Sequence, residues 1–221
     1  MEAAIASTLA ELRAMEGDFD DARALCARAQ DLYDELGLRF MRATRCLAPA
    51  AVELLAGDPA AAAEELRWGY QALEAMGERG VRSTVAAFLA QALVADGRYE
   101  DGEAFSEISE HNAAAADVVT QVVWRGARAR ALARRGDAAG AERLAHEGVA
   151  LANSTDFLDL QAGSLLSLAD VMRVGGQSQP AAVLVEAARK TYERKGNLVA
   201  ARNAAALVAE IRSTTVHPQP R

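Results

Sequence analysis

Chemistry in this chain would have to come from three histidines, two cysteines, 31 carboxylates and a large stock of arginine. His111, His146 and His217 are scattered, and no His-Glu-x-x-His, Cys-x-x-Cys or Gly-x-Ser-x-Gly is present, so the spacings needed for a metal or a nucleophile are missing. Cys26 and Cys46 sit in helical apolar patterns without a second ligand nearby, which predicts buried, reduced thiols. The only lysines, Lys190 and Lys195, do not follow a glycine, so no Gly-x-x-x-x-Gly-Lys-Ser/Thr phosphate loop exists. No enzyme, cofactor or metal site is expected. Asp18, Asp20 and Asp21, and likewise Glu100 and Asp101, read as first-turn acids favoured by a helix dipole. Glu103, Glu107 and Glu110 form a solvated ridge.

Arginine is the remaining chemical resource. Arg39, Arg42 and Arg45 recur every third residue, Arg82 lies on the third A helix, and Arg125, Arg128, Arg130, Arg134 and Arg135 load one later segment beside Trp124. Guanidinium forks bind carboxylate or phosphate in two-toothed fashion, so these residues imply an acidic peptide or an acidic segment of another domain as ligand. The alternative is that they pair with acids on adjacent helices and keep that face solvated. Trp68, Tyr70 and Trp124 read as packing residues before they read as a ligand platform.

The elements that carry these residues follow from composition and repetition. Of 221 residues 52 are alanine, 51% are hydrophobic and only 5% aromatic, which suits closely approaching helices and argues against an all-β chain. No run of eighteen apolar residues could span a membrane, and Met1-Glu2-Ala3-Ala4-Ile5 lacks the basic start of a signal peptide, so a cytoplasmic protein is expected. The net charge of −7 argues against general binding to nucleic acid or an anionic membrane.

One turn recurs at Gly17, Gly57, Gly97, Gly136 and Gly176, with spacings of 40, 40, 39 and 40 residues. Glycine there is suited to a left-handed C′ position, and the following Asp18, Asp58 or Asp137 to capping the next helix. Five residues after each turn glycine stand Ala22, Ala62, Gly102, Ala141 and Ala181, and twelve after it Ala29, Gly69, Ser109, Gly148 and Ala188. All are small and two helical turns apart, as close helix approach requires. Eight after the glycine come Leu25, Phe105, Leu144 and Leu184; repeat two has Glu65 instead, with Leu66 one place later.

A looser boundary divides each repeat, which predicts helical hairpins over about 1–36, 37–76, 77–116, 117–154 and 155–195, a capping helix over 196–213 and a disordered tail over 214–221. The fold class is therefore all-α: an α-solenoid of about five and a half hairpins, right-handed or gently curved. Pro49 is expected to bend the second A helix without ending it. The first helices of the hairpins (A), with the cap, carry a net charge of +3, whereas the second helices (B) carry −11.

The small–bulky–small pattern around a Gly-Asp or Gly-Arg-Tyr-Glu corner resembles the tetratricopeptide repeat (TPR), in a variant near 40 residues. Stretches such as Glu65-Leu66-Arg67-Trp68-Gly69-Tyr70, Gln121-Val122-Val123-Trp124-Arg125 and Tyr192-Glu193-Arg194-Lys195-Gly196-Asn197 resemble the C-terminal repeats of actinobacterial adenylate/guanylate cyclase–AAA ATPase–TPR signalling proteins. That resemblance implies A helices lining a concave groove, hence a groove less acidic than the back and basic at its centre. It also implies a scaffold that binds a protein segment or a domain of its own polypeptide, with Arg39, Arg42, Arg45, Arg82, Trp124, Arg125 and Arg128 as groove candidates. Met1 opens inside the first A helix, as in a piece of a longer polypeptide; a stand-alone adaptor is the alternative. A ligand-sensing domain of a regulator is a second functional expectation, and homodimerisation through exposed solenoid ends a third.

Overall fold

The computed structural model describes residues 1–216. These form twelve helical segments: α1 (Glu2–Glu16), α2 (Phe19–Glu35), α3 (Arg39–Thr44), α4 (Leu47–Ala56), α5 (Pro59–Ala75), α6 (Gly80–Ala95), α7 (Tyr99–Asn112), α8 (Val118–Arg135), α9 (Ala138–Ala152), α10 (Leu158–Val174), α11 (Ser178–Lys195) and α12 (Leu198–Val216). No strand occurs among the described residues. Residues 217–221, the larger part of the expected tail over 214–221, lie outside the described residues, and α12 runs through 214–216.

The five repeating glycines all take positive φ, from 78° at Gly176 to 97° at Gly17. Only glycine enters that region without a Cβ penalty, and there each helix end closes with backbone bonds such as Asp18 N to Arg13 O at 2.9 Å. The next helix is then capped where aspartate follows: Asp58 accepts from the Ala61 amide and Asp137 from the Gly140 amide, both at 2.9 Å. Asp117 caps α8 in the same way, accepting from the Thr120 amide at 3.2 Å.

All ten small positions are buried. They let B helices lie directly on A helices: a Cβ on Gly102 of α7 would stand 2.5 Å from Val94 Cγ2 and 3.1 Å from the Ala90 carbonyl oxygen of α6. Leu66, the displaced bulky residue of repeat two, is fully buried, so a one-residue shift along the helix preserves the knob.

Pro49 breaks the second A helix, contrary to the expected bend. It has no amide hydrogen for the Arg45 carbonyl and its ring crowds that oxygen, so α3 ends at Thr44. The Ala48 amide reaches back to Arg45 O instead, at 3.3 Å. Cys46, wholly buried, sits in the break and faces Gly69 of α5.

Each A helix packs on its own B helix and also on a neighbouring A helix, as α1 does on α4, α6 on α8 and α8 on α10. The A helices therefore form an inner layer. The row curls far enough for α1 to touch α12: Gly17 has Arg202 Nη2 and Val199 Cγ2 about its Cβ position, at 3.0 and 3.4 Å.

Candidate functional site

Because the A helices are inside and the chain curls, their free faces converge on one concave cavity of about 430 Å³. On α8 the lining positions are Val119, Val122, Val123, Gly126, Ala127 and Arg130, a stripe at helical spacing on the side turned away from α7 and α9. Leu47 and Leu54 of α4, Phe88 of α6 and Leu160 of α10 continue it, so the wall is mainly hydrocarbon. This volume and character match sites that hold a small apolar body and orient it with a few polar groups.

The carboxylates of the lining, Glu11 and Asp159, come from the first and the last full repeat, and Gln91 of α6 and Arg130 of α8 add polar groups from the repeats between. Among the described residues, Glu11 of α1 faces the cavity without a hydrogen bond or ion pair and Gln91 of α6 makes no hydrogen bond. Burial pushes the Glu11 carboxyl above the ordinary glutamate range and the Asp159 charge pushes the same way, while Arg45 and Lys195 pull it back. Asp159 accepts from Asn197 Nδ2 at 3.3 Å and has Lys195 Nζ at 3.8 Å. Tyr192 is 8% exposed, and its hydroxyl has no hydrogen-bond partner among the described residues. Burial, with the nearby Asp159 charge, raises its phenol well above the ordinary range. Arg130, the one cationic residue of the lining, is held at 3.2 Å by Asp170, which also binds Arg134 and Arg173.

The expected groove arginines lie elsewhere, which corrects the picture of a basic groove. Arg125 and Arg128 project from the flank of α8 toward the neighbouring B helices, where Arg125 pairs with Glu147 of α9 at 3.2 Å and Arg128 with Glu110 of α7. Both guanidinium groups cover Trp124, at 4.2 and 4.7 Å from its ring. Trp124 is 2% exposed, so it is a core residue and offers a partner nothing; its Nε1 donates to Gln121 Oε1 at 3.1 Å. Arg82 pairs with Glu74 at 3.0 Å and stacks on Tyr70. The physical reason is charge balance: A-helix arginines are drawn to the acidic B helices beside them.

Arg45 is exposed outside the cavity. Arg39 and Arg42 line an outer cleft with Asp34, Ala72, Ala75 and Met76, and there Arg42 lies 4.0 Å over the ring of Trp68. Trp68 is 42% exposed, against the expectation that it packs in the core. Sequence reasoning missed Glu11 of the first repeat and Asp159 and Tyr192 of the last full one. The available signal was the apolar character of α6 and α8 on more faces than a B helix can cover.

Among the described residues no cluster of histidine, cysteine or carboxylates could hold a metal ion, and no helix is long and apolar enough to cross a membrane.

No family model matches the chain, and no curated protein does. Solved structures do. BtubC (BKLC) from P. vanneervenii superposes with a TM-score of 0.59 at 18% identity, over 98% of this chain and 82% of that one. A Podosopora anserina putative kinesin light chain with nearly identical TPR-like repeats gives 0.57 at 19% identity, over 87% of this chain and 95% of that one. The fold is a TPR-like α-solenoid. At such identity the likeness concerns architecture alone, and the lining residues carry the functional argument.

Proposed function

We propose that this TPR-like solenoid is a non-catalytic interaction module that holds a short apolar peptide segment in its concave cavity. The observation that supports this reading is the hydrocarbon wall built from α4, α6, α8 and α10, which stands open to a ligand while Arg82, Arg125 and Arg128 are engaged on the flanks. An apolar segment replaces the acidic one expected from the arginines. Its source is a partner or another domain of the same polypeptide. A regulatory role within a cyclase–ATPase signalling protein is the setting the sequence resemblance suggests.

The test is fluorescence anisotropy with a fluorescein-labelled peptide of leucine and phenylalanine, against wild type, Val119→Asp, and Arg42→Glu with Arg128→Glu. Val119 is partly exposed on the cavity wall, so a carboxylate there should abolish binding with the helical content retained. The arginine reversals should leave binding in place. The reading fails if the peptide does not bind, or if the arginine pair controls binding and Val119→Asp does not. A second reading, a small-molecule sensor, is favoured by the size of the cavity and the meeting of α1 with α12. It would be adopted if metabolites and not peptides raise the melting temperature.

A further inference from the structure

The lining of the cavity holds more carboxylates than cations. It contains two carboxylates, Glu11 and Asp159, and one arginine, Arg130, whose charge is committed to Asp170. The two nearby cations, Arg45 and Lys195, do not line the cavity. Lys195 approaches Asp159 from outside at 3.8 Å, and Arg45 stays beyond ion-pair reach of Glu11.

Beside Asp159 stands Tyr192, a residue 8% exposed whose side chain lines the cavity and whose accessible hydroxyl has no hydrogen-bond partner among the described residues. It lies against Gly163, where a Cβ would stand 4.0 Å from the phenolic oxygen. A hydroxyl at the cavity wall with no protein partner is free to bond to a polar group brought into the cavity. Two carboxylate groups and one hydroxyl around an apolar chamber offer acceptor atoms to a single donor-rich cation. Glu11 belongs to the first repeat and Asp159 and Tyr192 to the last full one, so this constellation exists only where the curled chain brings its two ends together.

We propose that the occupant of the concave cavity is an apolar peptide segment carrying one lysine or arginine, whose cationic end is seated among Glu11, Asp159 and the Tyr192 hydroxyl. This rests on the reading of the cavity as a peptide site and adds the sign of the ligand's charge. The cation also ties the first repeat to the last, so the ligand favours the curled form in which α1 meets α12.

Three labelled peptides identical but for one central residue separate the two readings: lysine, norleucine and glutamate, each titrated against wild type, Glu11→Gln, Asp159→Asn and the double variant. Wild type should bind the lysine peptide at least about tenfold more tightly than the glutamate peptide, as a charge-assisted contact inside a cavity implies. In the double variant that preference should fall to about twofold or less, with norleucine binding unchanged. Tyr192→Phe should weaken the lysine peptide alone. If norleucine, lysine and glutamate peptides bind wild type equally, the cation subsite is overturned and the apolar peptide site stands. If none binds, both fall. Displacement of the lysine peptide by octylammonium alone at comparable affinity would assign the subsite to a free amine and overturn the peptide as occupant.

Discussion

Two buried glycines on B helices test whether close helix approach, and not glycine as such, shapes the inner layer. Neither Gly69 nor Gly148 has positive φ, so alanine is conformationally allowed at both, and each exchange gains about 1 kcal/mol of helix propensity. At Gly148 the new methyl group would rest 3.8 Å from Arg125 Cβ and 3.8 Å from the Val122 carbonyl oxygen, an ordinary contact. Gly148→Ala should therefore stabilise by about 1 kcal/mol and raise the melting temperature by about 2–4 °C for a chain of this length. At Gly69 the same methyl group would lie 2.8 Å from Cys46 Cβ and 3.0 Å from the Ala43 carbonyl oxygen, with the Cys46 sulfur closer still. Cys46 has no exposed surface, so it has nowhere to retreat, and the break between α3 and α4 must shift as a unit.

Inserting a methylene-sized group into such a site costs about 1–3 kcal/mol, which outweighs the propensity gain. Gly69→Ala should thus lose about 1 kcal/mol, placing the two variants about 2 kcal/mol apart. Urea unfolding, followed by ellipticity at 222 nm and by tryptophan fluorescence, measures both. If both variants move in the same direction, the close-approach account of the repeat is refuted.

The Asp170 cluster and the cysteines supply two further checks. Asp170 gathers Arg130, Arg134 and Arg173 within 3.2 Å, and although burial pushes its carboxyl up, these guanidinium groups hold it below the ordinary aspartate range. A depressed folded-state pKa means stability that is full above an unfolded value of about 3.9 and lost as pH falls through the lower folded value. Asp170→Asn should cost about 2–3 kcal/mol near neutral pH, moderated by the partial exposure of the arginines, and its urea midpoint should fall less steeply with acid than that of wild type. An acid limb as steep as that of wild type would show that Asp170 is not the group responsible. Cys26 and Cys46 are buried, and burial is the main cause that pushes their thiols up to about 11 and about 12. Neither should react with Ellman's reagent in the native protein near pH ~8, where the thiolate fraction is negligible, and both should react in guanidinium chloride. Rapid release from the native chain would contradict the packing around the helix break.

Local rules are legible in the residues wherever the partner is a few positions away. Gly17, Gly57, Gly97, Gly136 and Gly176 take the left-handed conformation because only glycine does so freely, and Asp58 and Asp137 cap because a carboxylate there reaches an amide three residues on. Ala22 and Ala29 and their counterparts announce close helix contact by size alone. The same logic misjudged Pro49, since whether a proline bends or splits a helix depends on what supports the gap, here Cys46 against Gly69.

Destinations in space are a different matter. Arg125 and Arg128 looked like groove residues because they sit on an A helix, but rotation about the axis of α8 turns them to Glu147 and Glu110, and it gives the cavity Val119, Val123 and Arg130 instead. Composition and a 40-residue period determined that the chain would be a row of helical hairpins. Only the tertiary curl decided that Glu11, Asp159 and Tyr192, well over a hundred residues apart at the extremes, would share one chamber. Small angles between successive hairpins accumulate along a solenoid, and each is set by side-chain packing across an interface that no single repeat contains.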